Sequence, residues 1–430
     1  MKKLLERILY ILARGVLKRQ KPRIVGITGT VGKTSTKDAV FSVLKKDFKV
    51  RTNIKNYNNE IGVPLTIIGC TSGNKNPFKW LYIFIKGALL SILPWPYPEI
   101  LVLEMGADKP GDIGYLTKLA PCYVGVVTAI GDKTPVHVEF FKNIDQLVNE
   151  KMKIVRQIDK NGFAVLNGED KQIMEAAKNI KAKIITFGHE EKDDIHMSEV
   201  KINYDIKKAL EDDKLGINFK IFYKGNTVPF HLNNVLGIPQ AYSAAIATAV
   251  GLIFEMNLVE ISQALKEYVP PKGRMNLIPG IKYSFILDDS YNSSPEAAKM
   301  ALEFLSKAEV DGRKFACLGS MEELGDYTKK AHQEIGRLVH DLGINYLITV
   351  GDKAEDIARA AKQAGMREDY IFMYKTSDKA GLKLQELVHE NDLILIKGSQ
   401  SARTEKVTKE LMVDPLHAKD LLVRQDKTWD

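Results

Sequence analysis

The stretch RIVGITGTVGKTS, residues 23–35, decides how the rest of the chain is read. Arg23–Thr28 is an apolar run of strand character. It enters a glycine-rich turn, then Lys33 and Thr34, then a segment of helical periodicity over 34–46. Glycines let backbone N–H groups crowd around phosphate oxygens, and the first turn of the following helix adds a favourable dipole. Lys33 is suited to neutralise the β- and γ-phosphates, and the Thr34 hydroxyl to sit on Mg²⁺. The strict phosphate-loop spacing wants a glycine where this chain has Ile27, so the match is to the shorter G-x-x-G-K-[ST] form. Gly29, Thr30, Gly32, Lys33, Thr34 and Ser35 are therefore the candidate nucleotide-binding residues. No guanine-reading N-K-x-D element and no helicase series accompanies them, and the loop alone names no reaction.

Outward from the loop, short apolar runs alternate with helical stretches. Ile100–Glu104 and residues 124–129 read as further strands, so a parallel sheet covered by helices on both faces is expected. Residues 200–230 differ: INYDI, INFKIFY and TVPF alternate apolar and polar residues, as in an antiparallel meander. An alanine-rich helix follows over 240–251. A Pro/Gly break, VPPKGR at 269–274, ends this unit. Strand–helix alternation then restarts with FILDD, FACLG, YLITVG and LILIKG, with helices from Pro295 and over Thr328–Asp341. The fold class expected is α/β. A phosphate-loop parallel-sheet ATPase domain with a small antiparallel meander (23–270) is followed by a Rossmann-like C-terminal α/β domain (271–430), and residues 1–22 form a separate basic amphipathic helix.

Composition sets the bounds. The chain has 430 residues, 45% hydrophobic and 27% charged, which excludes a disordered, collagenous or coiled-coil protein. Lys plus Arg is 62 and Asp plus Glu 54, so the net charge is 62 − 54 = +8, mild for this length. It suits acidic or phosphate-rich ligands and does not argue for nucleic acid. Cys70, Cys122 and Cys317 are far apart, so neither a disulfide framework nor a cysteine-rich zinc site is expected, and a cytoplasmic setting is.

Two segments bear on membranes. In MKKLLERILYILARGVLKRQ, Leu4, Leu5, Ile8, Leu9, Leu12 and Val16 recur at helical spacing, with Lys2, Lys3, Arg7, Arg14 and Lys18 opposite. Such a helix either packs on its own domain or lies on an anionic membrane. Residues 80–95, WLYIFIKGALLSILPW, are too short to span a bilayer, contain Lys86 and are flanked by tryptophans. They read either as a buried helix or as a membrane-touching hairpin partner of the first helix. Peripheral contact at the inner face of the plasma membrane, through 1–20 and 80–95, is the membrane expectation. No segment reads as a transmembrane span.

Seven blocks occur in order: TGTVGKTS at 28–35, NYNNEIGVP at 56–64, EMGADKPGD at 104–112, HVEF at 137–140, DSYN at 289–292, GSMEELG at 319–325 and KGSQSA at 397–402. Together they resemble the Mur ligase family of ATP-dependent amide ligases, from about Arg23 to the C-terminus. NYNNEIGVP, EMGADKPGD, DDSYN and MEELG are most similar to members that add D-alanyl-D-alanine to a UDP-muramoyl tripeptide.

The resemblance implies an acid–amine ligase of peptidoglycan synthesis that makes an acyl phosphate from a carboxylate and ATP. Its partners would be a muramoyl-peptide precursor and an amine, D-alanyl-D-alanine, with the protein acting as a monomer. Two Mg²⁺ are implied. Thr34 and Glu104 would hold the first. His137 and Lys151 would hold the second, Lys151 as a carbamate, with Lys153 the competing lysine. Lys33, His137 and Lys151 are the implied catalytic residues. Asn59, Gln240, Arg274 and Asp289 would join the nucleotide contacts: Arg274 on phosphate, Asp289 on the ribose or adenine side. Lys397, Ser399 and Ser401 are weaker candidates for holding the amine or the acyl phosphate.

Three departures stand out. GIPQAYS at 237–243 replaces the family's G-x-H-N-x-x-N, so Gln240 supplies one amide and Ser243 no equivalent of the other. GDKTP at 131–135 reads as a small insertion before His137. Only 22 residues precede the first strand, so the N-terminal domain with which muramoyl ligases grip the UDP moiety is not expected, and a lipid-linked precursor enters as a possibility. A folate- or storage-polypeptide-type acceptor, or a non-catalytic nucleotide-binding scaffold of cell-wall assembly, stays open as an alternative.

Overall fold

The structure is a computed structural model that describes residues 2–53, 57–130, 141, 143–211, 215–426 and 429, the side chains of 209–211 excepted. Two sheets carry the chain. The first contains β1 (Arg23–Thr28), β2 (Val50–Thr52), β3 (Ile100–Glu104), β4 (Val124–Val127), β5 (Phe163–Asn167), β6 (Lys183–Gly188), β7 (Ile195–Ile202), β8 (Gly216–Tyr223) and β9 (Asn226–Asn233), in the order β2-β3-β1-β4-β5-β6-β7-β8-β9. The second contains β10 (Asn276–Gly280), β11 (Ser284–Asp289), β12 (Lys314–Gly319), β13 (Tyr346–Val350), β14 (Ile371–Tyr374) and β15 (Leu393–Lys397), in the order β10-β11-β15-β12-β13-β14.

Strands β1 to β6 pair in parallel, which requires helical crossovers and burial on both faces. The sequence meets that demand with continuous apolar runs: every residue of β3 and β4 is buried. The expected antiparallel meander is present as β7–β8–β9, and it extends the same sheet, because β7 pairs in parallel with β6. INYDI is not a strand: β7 ends at Ile202, and Asp205 turns the chain by accepting the Lys208 N–H at 2.9 Å, opening a short helix over Ile206–Glu211. In the second sheet only β10 is antiparallel.

The helices that frame the candidate site are α1 (Lys2–Gln20), α2 (Lys33–Leu44), α3 (Gly62–Ile68), α4 (Pro77–Ile92), α5 (Asp112–Leu119) and α6 (Ile144–Arg156). Val40, Val43 and Leu44 of α2 cover one face of the first sheet together with the alanine-rich helix Pro239–Ile253. Ile113, Leu116, Met152 and Val155 from α5 and α6 cover the other.

Helices α1 and α4 pack on each other, but not as a hairpin. The Ser91 hydroxyl donates to the Leu12 carbonyl at 3.2 Å and the Gln20 amide to the Leu90 carbonyl at 2.7 Å, while Leu5 and Trp80 share a cluster near the other ends. The two therefore run in the same direction. A strand–helix–strand–helix path separates them in sequence, so no tight turn imposes opposite directions. Leu9, Ala13 and Val16 of α1 are buried, whereas Leu4 and Ile11 are exposed.

Candidate active site

Strand β1 delivers its last residues to a turn that bends sharply before α2. Gly32 has φ 81°, left-handed backbone that an L side chain resists. At Gly29 a Cβ would come within 1.9 Å of the Thr128 hydroxyl, so only glycine fits there. The turn is tied to the neighbouring strand's end: Thr30 N–H donates to the Ala129 carbonyl at 2.8 Å, and the Thr128 hydroxyl to the Val31 carbonyl at 2.6 Å. That tether explains why β4 leaves the sheet at Val127 although residues 124–129 read as one strand.

Glu104 ends β3, the strand beside β1, at the carboxyl edge where α/β sheets bind ligands. The Thr34 hydroxyl donates to one Glu104 oxygen at 3.0 Å and the Asn58 amide to the other at 3.2 Å. Asn53 clamps the Glu104 backbone, accepting its N–H at 2.6 Å and donating to its carbonyl at 3.3 Å. Asn58 and Asn59 are neighbours in the NYNNEIGVP block, but their side chains part here. The Asn59 side chain accepts the Ile61 and Gly62 N–H groups at 3.2 and 3.0 Å and shapes the entry to α3. Asn53 and Thr128 lie outside any recognisable motif, and only the folded chain brings them to the loop.

Two lysines meet on one carbonyl. Lys33 donates to Gly29 O at 2.9 Å and to Thr30 O at 3.2 Å, and Lys151 donates to the same Gly29 O at 2.8 Å. Lys151 is 1% exposed. Burial lowers its pKa well below the ordinary lysine value, and Lys33 opposite lowers it further. The pKa of Lys33 is also lowered, by loss of hydration, against the attraction of Glu104. Lys153, the competing lysine, points elsewhere: it is ion-paired to Glu150 at 2.6 Å, and Glu150 in turn accepts the Ile113 N–H at 3.0 Å. Residues two apart on α6 face opposite sides, which sends Lys151 inward and Lys153 out.

From the second unit, Arg274 acts on the charge of Lys33 across the break in the chain, as does Glu323 in the loop after β12. The Arg274 guanidinium stacks on the Tyr291 ring at 4.3 Å, and among the described residues its buried Nε has no partner. Asp289 ends β11, where Lys397 at the end of β15 donates to it at 2.6 Å and to the Asn292 carbonyl at 3.0 Å. Gln240 receives the Tyr268 hydroxyl at 2.8 Å, and that hydroxyl also reaches the Ser35 carbonyl at 3.4 Å. Ser243 receives the Thr36 hydroxyl at 3.3 Å behind α2. Ser399 and Ser401 bond each other at 3.0 Å, and Ser401 donates to Glu322. His137 and the 131–135 segment lie outside the described residues.

The structure thus gathers Gly29, Thr30, Gly32, Lys33, Thr34, Glu104 and Lys151 into one crevice that Arg274 faces. It gives Asn59 and Gln240 local partners, and it pairs Asp289 with Lys397. Among the described residues no group of three or more His, Cys, Asp or Glu side chains clusters as a metal site. The oxygen pair of Thr34 and Glu104 nevertheless suits Mg²⁺, which takes few protein ligands and keeps water and phosphate oxygens. Two ligands at right angles on ~2.1 Å bonds lie about 3.0 Å apart, the separation these two oxygens already have.

Residues 27–75 and 90–251 match the Mur ligase middle domain, and 273–400 match the Mur ligase glutamate ligase domain; residues 76–89 fall between the matched stretches. A UDP-N-acetylmuramoyl-tripeptide–D-alanyl-D-alanine ligase from Bacillus subtilis is 27% identical over 405 residues, 94% of this chain and 79% of the relative. The same-named enzyme of Buchnera aphidicola from Acyrthosiphon pisum is 26% identical over 409 residues, 93% of this chain and 79% of that one. Among solved structures, a MurF ligase from Thermotoga maritima in complex with ADP superimposes with a TM-score of 0.75 at 26% identity, covering 94% of this chain and 83% of that one.

Proposed function

This chain belongs to the Mur ligase family, and we propose that it joins the terminal carboxylate of a muramoyl peptide to the amine of D-alanyl-D-alanine, with cleavage of ATP to ADP and phosphate. A carboxylate oxygen attacks the γ-phosphorus and ADP leaves, giving an acyl phosphate. The amine nitrogen then attacks the acyl carbon, the carbon–oxygen bond to phosphate breaks, and the amine loses a proton as the amide forms. The difficulty is charge, because two anions must meet and the moving phosphoryl group must be stabilised.

In this reading the loop N–H groups and Lys33 hold the β- and γ-phosphates. Lys33 exchanges its bonds to the Gly29 and Thr30 carbonyls for phosphate oxygens. Arg274, from the second unit, meets the phosphates from the opposite side, and its unpartnered Nε supports that role. Thr34 and Glu104 hold one Mg²⁺, which when bound neutralises phosphate charge. Asn58 and Asn53 fix the Glu104 carboxylate and backbone. Lys151, whose neutral amine is favoured by burial, would add carbon dioxide and release a proton to form a carbamate. Its anionic oxygen, with His137, would hold a second Mg²⁺. Gln240 and Asp289 border the nucleoside. Residues 23–270 and 271–430 are the two domains of this reading, and ATP and both substrates are cytoplasmic. Peripheral contact with the inner face of the membrane, through α1 and α4, belongs to it as well.

The observation that carries the proposal is the meeting of Lys33 and Lys151 on Gly29 beside the Thr34–Glu104 pair. The test is ADP release in the presence of Mg²⁺. Turnover is expected only when UDP-muramoyl tripeptide and D-alanyl-D-alanine are both present. Equal release without the dipeptide would overturn the amine assignment, and release with neither would overturn the ligase.

A further inference from the structure

Helix α4 is mostly apolar, broken only by Lys79, Lys86 and Ser91, and such a helix normally sits inside a protein. Here only one side is covered. Ile83, Gly87 and Leu90 face α1 and the domain. Phe78, Leu81, Tyr82, Ile85, Leu89 and Ile92 return at steps of three and four along the other side, and all are exposed; Phe78 is 79% and Ile92 70% exposed. Leu93 and Trp95 continue this face beyond the helix. A contiguous apolar stripe of this kind on a soluble domain marks a binding surface.

The neighbouring helix gives the stripe a basic border. On the outer side of α1, Leu4, Arg7, Ile11, Arg14 and Lys18 recur at steps of three and four, and all are exposed. Arg14 is engaged with the Lys118 carbonyl. Among the described residues Lys3, Arg7 and Lys18 have neither an ion pair nor a side-chain hydrogen bond. At the aligned N-terminal ends of the two helices, Leu4, Leu5, Ile8, Trp80 and Phe84 line an apolar cleft of about 620 Å³ under Lys2 and Lys75. Both helices lie outside the matched family domains, α1 before residue 27 and most of α4 within 76–89.

We propose that the outer faces of α1 and α4 dock on an anionic lipid bilayer. The α4 stripe lies at the headgroup–acyl boundary, and Lys2, Lys3, Arg7 and Lys18 meet lipid phosphates. The inference rests on the reading of these helices as a membrane contact and adds the lipid class and the inserting residues; it is independent of the ligase chemistry. The charge pattern favours lipid over protein: among the described residues the unpaired cations Lys3, Arg7 and Lys18, with Lys2 in an exposed pair with Glu6, border an apolar face, with tryptophan and tyrosine in the interfacial position they prefer. No described helix is long and apolar enough to cross a membrane, so the contact is on the surface.

Flotation of the full chain with vesicles of phosphatidylcholine, alone or with one quarter phosphatidylglycerol, tests this. Strong binding to the anionic vesicles is expected, weakened by salt, with a blue shift of tryptophan emission. Ile85→Glu with Ile92→Glu should abolish it while leaving the circular dichroism spectrum and the ligase assay unchanged. Lys3→Gln, Arg7→Gln and Lys18→Gln should weaken it about fivefold for each charge removed. Equal binding to both vesicle types would keep the membrane contact and overturn the anionic preference. Binding to neither, with a dimer in light scattering that Ile85→Glu and Ile92→Glu dissolve, would overturn both and assign the stripe to a second copy of the chain.

Discussion

Lys151 and Lys397 are both about 1% exposed, both close to the carboxyl end of a parallel sheet, and both lowered in pKa by burial. They differ in what neutralises them. Lys397 has a carboxylate, Asp289, at 2.6 Å. Among the described residues Lys151 donates only to the Gly29 carbonyl; the like charge of Lys33 lowers its pKa further, against the more distant pull of Asp108 and Glu150. A buried cation with a carboxylate partner is a strut, and removing one partner leaves the other stranded. Burial without one lowers a lysine's pKa and so favours the neutral, nucleophilic amine that reaction with carbon dioxide requires. On the proposed reading Lys151 is the reactive lysine of the first sheet, and Lys397 is half of a structural pair in the second.

Substitutions should separate these two uses of a lysine. Lys33→Ala is expected to lower ligation at least about 10³-fold, as loss of a charge aimed at a transferring group does, with little change in thermal melting. Lys151→Ala should come next, with about a 10²- to 10³-fold loss of turnover. Wild-type enzyme depleted of carbon dioxide should regain activity with bicarbonate, and Lys151→Ala should not. Full activity in Lys151→Ala would end the carbamate assignment. Lys397→Met should act on stability instead, costing about 3 kcal/mol by stranding Asp289, and Asp289→Leu in the same chain should restore most of it. If Lys397→Met melted like wild type, the strut reading would fail.

A smaller effect is expected at Asp288, next to the pair. Burial pushes this carboxyl up to about 6 from 3.8, its Oδ1 accepts the Thr408 hydroxyl at 2.9 Å, and among the described residues its Oδ2 has no partner. The folded state therefore holds its proton where the unfolded chain has lost it. The stabilisation from that proton is complete below 3.8 and is lost as pH rises to about 6, a decline of roughly 3 kcal/mol at most. Asp288→Asn should flatten this part of the stability profile in urea titrations at pH 4 to 7; an unchanged slope would contradict it. Lys153→Ala should be the mildest, with activity kept and about 0.5 kcal/mol lost with a partly exposed pair.

The same contrast shows what the sequence could carry. Strands β1 and β3 and the helix Thr328–Asp341 were readable because buried parallel strands are unbroken apolar runs and amphipathic helices repeat at 3.6 residues. The phosphate loop was readable because its glycines and Lys33–Thr34 are contiguous. Lys151 against Lys153 was not, since both stand in NEKMKIV and only the packing of α6 decides which is buried. The partners of Glu104 were half visible. Asn58 lies in a quoted block, but Asn53 reaches Glu104 only because β2 runs beside β3. Helix α4 was ambiguous for a physical reason: a segment whose apolar residues fall on both sides reads as buried whichever side the fold leaves open.

The central claim is that the loop at 29–35 passes a phosphoryl group to a substrate carboxylate. UDP-muramoyl tripeptide labelled with ¹⁸O in its terminal carboxylate, turned over with ATP and D-alanyl-D-alanine, tests this by mass analysis of the released phosphate. One labelled oxygen per phosphate, for each amide formed, is the predicted result. Phosphate free of label beside the same yield of amide would contradict the account.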